Sequence, residues 1–461
     1  MYYFEKNSGN NPKYFMKIKI ILLFVAFVSM ANAQFSPLQQ NQGLLEGGFG
    51  LTWINGAPNY AFRIMPEFQF SKIGVGLDLN LEYTASGKLR SEDFNEFSDY
   101  LSVIRYIRYG QKGDPLYVKF GALDYTSLGH GSIMYLYNNS PSLDNRKVGL
   151  ELAADFDNYG FESIYGNFGQ TGVMGVRGYI RPLTQTMLAS IPILGKLETG
   201  ATVVTDLNEN AGIVSGEYNP ATDVFLPKDD EGNITIIGLD LGLPLLRTGI
   251  ADLDAYIDYA KIIKFGSGVA TGLMLNFKGF GLLDLKAKIE RRFNGDHYIP
   301  SYFGPFYEIE RFNLDKQTGE VRSKIQQLKF ADSQSKGYYG ELYSSILGIF
   351  RVLGSFQKLD HVPNSGMLHI AGELSSENFQ YVVRAGYDKI NIENIGDLFT
   401  TDDRSYLYFQ FGYKVQPYLL MSMIYYWTFT PVRDYNDKII GYEPQKRVEP
   451  RLTFIYPINF N

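Results

Sequence analysis

The stretch Ile73-Gly-Val-Gly-Leu-Asp-Leu-Asn-Leu-Glu-Tyr83 alternates apolar and polar side chains with a period of two. Successive side chains of an extended chain point to opposite faces of a sheet, so this period indicates a β-strand. The stretch predicts a strand with one apolar face and one polar face. The apolar face carries Val75, Leu77, Leu79, Leu81 and Tyr83, and the polar face carries Asp78, Asn80 and Glu82.

The same alternation returns along the chain from residue 44 to residue 456, and residues 116–137, 251–263 and 447–456 are among the predicted strands. We expect about 16 to 20 strands, a number within the range of bacterial barrels. A soluble β-propeller or β-helix is the main rival, but the chain shows neither a blade-length repeat nor a short fixed repeat. No linker rich in Pro, Gly or Ser divides the chain, so one continuous unit is expected.

The N-terminus reads as an export signal. A basic start at Lys17 and Lys19 precedes an apolar stretch at residues 20–28 and the sequence Ala31-Asn32-Ala33. This order is typical of a secretory signal peptide, and we expect cleavage after Ala33. Residues 1–33 are therefore the predicted signal, with residues 1–15 as an upstream extension. Residues 34–43 form a predicted short periplasmic segment, and residues 44–461 form the barrel.

Composition excludes several functions. The chain has no cysteine, which removes disulfides, thiol catalysis and thiolate metal sites. Its formal net charge is −6 and becomes more negative once the lysine-rich signal is removed. A nucleic acid is therefore not an expected partner, because phosphate recognition needs clustered Lys and Arg.

Connection lengths give a second line of evidence. With the N-terminus in the periplasm, short connections such as residues 71–72 fall on one side, and long polar ones such as residues 207–233 fall on the other. Residues 182–196 break this rule and indicate either a short amphipathic element at the periplasmic rim or a miscounted strand. The aromatic stretch at residues 298–307 contains prolines and cannot continue a central strand. It is expected to fold inward, to stack on a sugar or protein partner, or to pack on the rim.

The signal peptide, strands such as residues 253–259 and the C-terminal strand at residues 447–456 resemble the outer-membrane β-barrel superfamily in its porin-like and channel-like members. The resemblance implies an all-β fold: a closed, antiparallel, transmembrane barrel with short periplasmic turns and long extracellular loops. It also implies export to the outer membrane of a Gram-negative bacterium. The implied partners are outer-membrane lipid, lipopolysaccharide and the barrel insertion machinery. No cofactor is expected, and the oligomeric state stays open.

The polar faces of the predicted strands carry charges of both signs. Because a Lys or Arg facing mid-bilayer hydrocarbon costs about 2 to 4 kcal/mol, these side chains are expected to line the interior or the rims. One interpretation is a porin-like, water-filled passage for small polar solutes or ions. The other is a non-conducting adhesion or assembly barrel filled by ion pairs. The candidate lumen-lining residues are Asp78, Glu82, Glu151, Asp155, Arg177, Arg181, Asp252, Asp254, Asp258, Lys286 and Lys288.

A third hypothesis is catalytic. His130 and Ser132 would point the same way on the predicted strand at residues 116–137. This pair resembles that of outer-membrane lipid hydrolases, in which a His acts as base and a Ser as nucleophile. Those families usually follow the serine with Asn and Gly, whereas Ile133 stands here. A glycine-bracketed histidine at a bulge explains the same residues. No metal-ligand spacing joins the four histidines, so no metal site is predicted.

Overall fold

A computed structural model describes residues 42–90, 97–191, 193–279, 282–331, 335–375 and 379–459. The predicted signal peptide and nearly all of the segment at residues 34–43 lie outside this part of the chain. The described strands close into an antiparallel cylinder of 20 wall strands, because the first strand pairs with both the second and the last. The predicted fold class is confirmed, and the count falls at the upper end of the expected range.

The strands follow one another round the wall in chain order, and β3 and β4 are two parts of one wall strand. Two hairpins, β11–β12 and β17–β18, stand apart from the wall. The strands are β1 (Gln42–Ile54), β2 (Ala57–Phe70), β3 (Ile73–Leu77), β4 (Leu79–Thr84), β5 (Ile104–Tyr109), β6 (Leu116–Gly121), β7 (Gly149–Asp155), β8 (Tyr159–Tyr165), β9 (Val173–Ile180), β10 (Glu198–Asp206), β11 (Ile213–Asn219), β12 (Val224–Asp230), β13 (Ile234–Arg247), β14 (Ala251–Ile262), β15 (Ser267–Gly279), β16 (Leu283–Asn294), β17 (Phe312–Leu314), β18 (Val321–Ser323), β19 (Lys336–Ile346), β20 (Phe350–Leu359), β21 (Gly366–Leu374), β22 (Tyr381–Ile392), β23 (Ser405–Gln416), β24 (Leu419–Arg433) and β25 (Ile439–Asn459).

Helices are short and lie in the connections. They are α1 (Phe97–Ser102), α2 (Tyr307–Glu310) and α3 (Lys324–Lys329), with 3-10 turns at Met187–Ser190, Leu194–Lys196 and Ile395–Asp397. None of the helices in the described part of the chain is long and apolar enough to cross a membrane.

The wall has its apolar side chains outside and its charged side chains inside. In β9 the residues alternate strictly, so that Arg177 is 2% exposed while its neighbour Val176 is 43% exposed. In β14, Asp258 is buried between the exposed Ile257 and Tyr259. A water-soluble protein would hide the valine and expose the arginine. An apolar exterior round a closed wall is the arrangement that lipid requires, and the fold is that of outer-membrane β-barrel proteins.

The stretch that opened the sequence analysis forms a wall strand with an interruption. β3 ends at Leu77 and β4 begins at Leu79, and between them the Asp78 N–H donates to the Val103 carbonyl, 2.8 Å away. Asp78 and Glu82 are both buried, on the face opposite to the apolar residues. The predicted alternation of faces therefore holds through the break.

The barrel has a turn end and a loop end. At the turn end, residues 71–72, 156–158, 248–250, 347–349 and 417–418 join neighbouring strands. The loop end carries the long connections, which include the β11–β12 hairpin. Residues 181–197 are the long exception at the turn end, and their 3-10 turns confirm the short element expected there.

Two segments from the loop end fold into the interior. The prediction that residues 116–137 form one strand is wrong: β6 ends at Gly121, and residues 122–148, here named the first interior segment, enter the barrel. Residues 298–311, the second interior segment, join it through hydrogen bonds such as Phe303 N–H to Ile133 O at 3.2 Å. The aromatic stretch thus folds inward, the first of its three expected outcomes. The side chains of both segments form one buried apolar cluster with inward-facing wall residues, including Leu128, Met134, Tyr137, Phe303, Tyr307, Val204 and Ile236.

Candidate functional site

The first interior segment spans the interior from one side of the wall to the other. Asp144 binds Arg447 on β25, and His130 binds Asp258 on β14. Eight wall strands separate β14 from β25 in one direction round the cylinder and ten in the other. The two anchor points are therefore almost opposite each other.

Asp144 is the more highly connected anchor. Its carboxylate accepts hydrogen bonds from the guanidinium of Arg90 at 2.5 and 2.9 Å, from Gln445 at 2.9 Å, from Thr430 at 3.1 Å and from Arg447. Burial by itself raises the pKa of Asp144, but the two arginines hold that pKa well below its usual range. The anchor is a charged carboxylate whose oxygen atoms are fully used.

The next anchor lies at the break in the third wall strand. Arg146 donates to Asp78 at 2.7 Å, and Arg63 on β2 donates to the same carboxylate. The interruption between β3 and β4 therefore occurs at the residue that receives the interior segment. Arg146 and Asp144 together attach the end of the first interior segment to one region of the wall, where β1 and β2 lie between β25 and the strand made of β3 and β4.

The two interior segments are joined by a buried charge cluster round Glu308. Tyr137 donates to Glu308 at 2.6 Å, Arg311 donates to both of its oxygens at 2.7 Å, and Lys147 forms an ion pair with it. Burial raises the pKa of Glu308, but Arg311 and Lys147 outweigh this and lower the pKa to about 2. Arg311 also donates to Asp206 on β10 at 2.5 Å, so the cluster is tied to the wall.

The tip of the first interior segment contains the predicted catalytic pair. His130 Nδ1 lies 2.8 Å from Asp258 Oδ1, and Ser132 Oγ donates to Asp258 Oδ2 at 2.5 Å. The imidazole stacks on Tyr256 at 4.1 Å between ring centroids, and Lys288 donates to the His130 carbonyl. A nucleophilic serine would give its proton to the histidine. Here both residues share one carboxylate inside the barrel, which is a positioning arrangement.

A second carboxylate stands directly across from Asp258. Asp240 on β13 is its cross-strand partner, and two like charges in this position repel each other. Arg177 relieves the repulsion by donating to both oxygens of Asp240, at 3.0 and 2.7 Å, and to Glu198 at 2.9 Å. His130, Asp240 and Asp258 offer ligand atoms within 4.8 Å of one another, a spacing that could hold a metal ion. Arg177 already neutralises Asp240, so these residues satisfy one another as an ion-pair network.

Beneath this tip a cavity of about 500 Å³ lies at the turn end. Charges of both signs line it, and Arg181 and Glu198 on its wall form an ion pair at 3.0 Å. The cavity is large enough to hold many water molecules or a small polar solute. Its lining residues are His130, Asp157, Arg181, Thr184, Lys196, Glu198, Gly242, Pro244, Arg247, Asp254 and Met274.

The candidate lumen-lining residues separate into three groups. One group contacts the interior segments, the network at their tip or, for Glu82, the arginines that bind Asp144: Asp78, Glu82, Glu151, Arg177, Asp258 and Lys288. A second forms ion pairs among turn-end residues: Asp155 with Arg181 at 2.8 Å, and Asp254 with Arg247. Asp252 is half-buried and Lys286 is exposed, with its ammonium 5.8 Å from the ring centre of Tyr343. Among the described residues, neither Asp252 nor Lys286 forms a hydrogen bond or ion pair with the interior segments.

Several interior residues were missed by sequence analysis. On β25 the charged residues occupy every second position and are all buried: Arg447, Glu449 and Arg451. This period of two could have identified them as inward-facing. Asp206 and Asp240 likewise alternate with apolar neighbours. Asp144 and Glu308 lie in connections, where no period marks a residue as inward-facing, and only the fold brings Asp144 to Arg447 and Glu308 to Lys147.

No protein-family model matches the chain, and no curated protein matches it in sequence. Among solved structures, the ferric enterobactin receptor PfeA of Pseudomonas aeruginosa is similar over 93% of this chain and 82% of its own, with 10% identity and a TM-score of 0.37. OccK5 (OpdH) of Pseudomonas aeruginosa is similar over 90% of this chain and 98% of its own, with 11% identity and a TM-score of 0.32. The siderophore receptor PirA of Acinetobacter baumannii is similar over 91% of this chain and 81% of its own, with 10% identity and a TM-score of 0.36. Likeness this distant carries no information on solute or mechanism.

Proposed function

We propose that this protein is a transport protein of the Gram-negative outer membrane, which lets small polar solutes or ions pass when its interior segments move. Export by the signal at residues 1–33, insertion by the barrel insertion machinery and contact with outer-membrane lipid and lipopolysaccharide belong to the same proposal. The loop end then faces outward and the turn end faces the periplasm.

The width of the barrel supports a passage. Barrels of 16 to 18 strands leave an aqueous channel, and their side chains alone do not fill the interior. With 20 wall strands, the wall side chains of this protein leave space in the interior, and the two interior segments occupy part of that space. The segments are thus positioned to decide whether solute passes.

The single observation that carries the proposal is the ionic character of the contact between the first interior segment and the wall. Its main attachments are two ion pairs, Asp144 with Arg447 and Arg146 with Asp78, and the hydrogen-bonded contact of His130 with the Asp258 carboxylate. Water can replace the partners of such groups when they separate, whereas parting two apolar surfaces gains no new hydrogen bonds. A contact of this kind can open and close in a wet interior.

The runner-up is a non-conducting barrel. The apolar cluster that includes Met134, Tyr137, Phe303 and Tyr307 also contains inward wall residues, so part of the filling is attached as in an ordinary protein core. If that attachment never releases, the interior segments are permanent structural filling.

Electrical recording in planar bilayers distinguishes these two candidates. We expect wild-type protein to give brief, infrequent openings, and the double variant Asp144→Asn, Arg146→Gln to open far more often because two wall contacts are weakened. Asp437→Asn, in an exposed loop-end turn, is the matched control and should behave as wild type. Silence from the folded double variant would contradict the transport proposal and favour the non-conducting barrel.

A further inference from the structure

Residues 182–197, here named the rim segment, have no role in the proposed passage. They connect β9 to β10 at the turn end, where other connections are as short as residues 71–72 or 417–418. A long connection at this end needs its own explanation. The explanation must account for its composition, because it contains a dense group of apolar residues.

The rim segment has a defined conformation. Thr186 caps the first 3-10 turn by accepting from Leu188 N–H, and the Gly195 N–H donates to the Ile191 carbonyl at 2.9 Å. Thr184 Oγ1 donates to Asn158 Oδ1 at 2.8 Å, which fastens the segment to the adjacent turn. The side chains of the segment are therefore presented in a fixed arrangement along the rim.

The two faces of the rim segment differ in polarity. Thr184 and Lys196 line the turn-end cavity and so face the interior. Five large apolar side chains are exposed and are not part of the cavity lining: Met187, Leu188, Ile191, Ile193 and Leu194. Met187 is 96% exposed, more than any other large apolar side chain among the described residues. A polar face toward the lumen leaves the apolar face toward the outside of the barrel.

The apolar face is continuous with the surface that faces lipid. Ile180, the last residue of β9 and part of its outward face, is exposed two positions before the rim segment begins. Phe156 and Tyr159, at the turn to which the rim segment is fastened, are both exposed, with ring centroids 5.1 Å apart. Aromatic side chains at this level are typical of the boundary between hydrocarbon and headgroups.

We propose that the rim segment lies on the turn-end leaflet of the bilayer, with Met187, Leu188, Ile191, Ile193 and Leu194 among the acyl chains. Short amphipathic elements bind membranes in this way, with the apolar side sunk to the headgroup boundary and the polar side in water. The occupant of this surface is membrane lipid. The inference depends on the membrane-spanning fold and is independent of whether the barrel conducts.

The absence of cysteine allows a clean test, because a single introduced thiol is the only labelling site. Met187→Cys carries an environment-sensitive fluorophore in lipid vesicles, and two quenchers are compared: a nitroxide on the lipid acyl chain and iodide in the buffer. Val203→Cys, on the outward face of β10, is the lipid-exposed control, and Lys72→Cys, in an exposed turn at the same end, is the water-exposed control.

The expected result is loss of Met187→Cys fluorescence with the lipid quencher, as for Val203→Cys, and little loss with iodide. Quenching by iodide as strong as for Lys72→Cys would overturn the proposal, since the apolar face would then be open to the periplasm. Protection from both quenchers would also overturn it, because the face would then be covered by protein. Quenching of Val203→Cys by lipid in the same samples verifies that the barrel is inserted.

Discussion

His130 Nδ1, at the tip of the first interior segment, lies 2.8 Å from Asp258 Oδ1 on β14. Ser132 donates to the other oxygen of the same carboxylate at 2.5 Å. One wall residue therefore fixes two residues of the tip, and the opposite end of the segment is fixed by Asp144 and Arg447 on the far side of the barrel.

Asp258→Asn is expected to loosen the tip and leave the wall intact. The amide keeps the shape of the carboxylate but loses its charge and can no longer accept two donors equally well, at a cost of about 1–3 kcal/mol. Hydrogen exchange of the amides at residues 128–134 should become faster. Asp254→Asn on the same strand is the control, because its partner Arg247 lies at the turn end. Equal exchange in both variants would show that Asp258 does not hold the tip.

Arg177→Ala is expected to destabilise the whole barrel. It leaves Asp240 and Asp258 facing each other across β13 and β14 without the guanidinium that neutralises Asp240, and breaking a buried pair in this way costs about 3–5 kcal/mol. The free energy of unfolding in urea, measured in detergent micelles, should fall accordingly. Arg181→Ala should cost far less, because Arg181 is 22% exposed and its pairs are screened by water. Similar losses in both variants would contradict this account of the network.

Acid is expected to release the two interior segments from each other. The pKa of Glu308 is lowered from 4.5 to about 2 in the folded protein, so its contribution to stability is fully present above pH 4.5 and is lost as pH falls through about 2. The contribution is about 3 kcal/mol. Pepsin cleavage within residues 298–311 should increase sharply toward pH 2. Glu308→Gln removes the titrating group, so its cleavage should depend less on pH; an identical pH profile in both proteins would refute the assignment.

Hydrolysis of phospholipid is expected to be insensitive to His130 and Ser132. The Ser132 hydroxyl donates to Asp258 and not to His130, so the histidine is not placed to take the serine proton for attack on an ester. Purified wild type, His130→Ala and Ser132→Ala should release fatty acid from phospholipid vesicles at the same background rate. Hydrolysis by wild type that disappears in both variants would restore the catalytic hypothesis.

Sequence alone predicted the wall well, because the alternation in strands such as β9 and β14 is imposed by lipid on one side and water on the other. The prediction failed where residues alternate in polarity as in a strand but do not form one. Leu128, His130, Ser132 and Met134 alternate like a strand, yet Tyr125 and Leu136 adopt positive φ of 55° and 50° and turn the chain inward. No local signal marks a tyrosine or a leucine for that conformation.

The same limit applies to the interior charges. Arg177 and Asp258 could be identified because each lies on the polar face of a strand. Asp144 and Glu308 could not, since Arg447 beside Asp144 and Lys147 beside Glu308 are brought in by contacts between distant parts of the chain. Which face of a strand points inward can be predicted from neighbouring residues. Which loop residues fill the interior of a barrel depends on the tertiary structure.

The central claim is that the first interior segment closes a barrel that would otherwise conduct. Gly121 and Gly149 are paired across β6 and β7, so a two-residue Asn-Gly turn can replace residues 122–148. The single-channel conductance of this shortened protein in planar bilayers tests the claim most directly, once its heat-modifiable migration has shown that the barrel is folded. We expect large, steady, ion-conducting steps where wild type gives only brief ones. A folded, shortened barrel that conducts no more than wild type would contradict the claim.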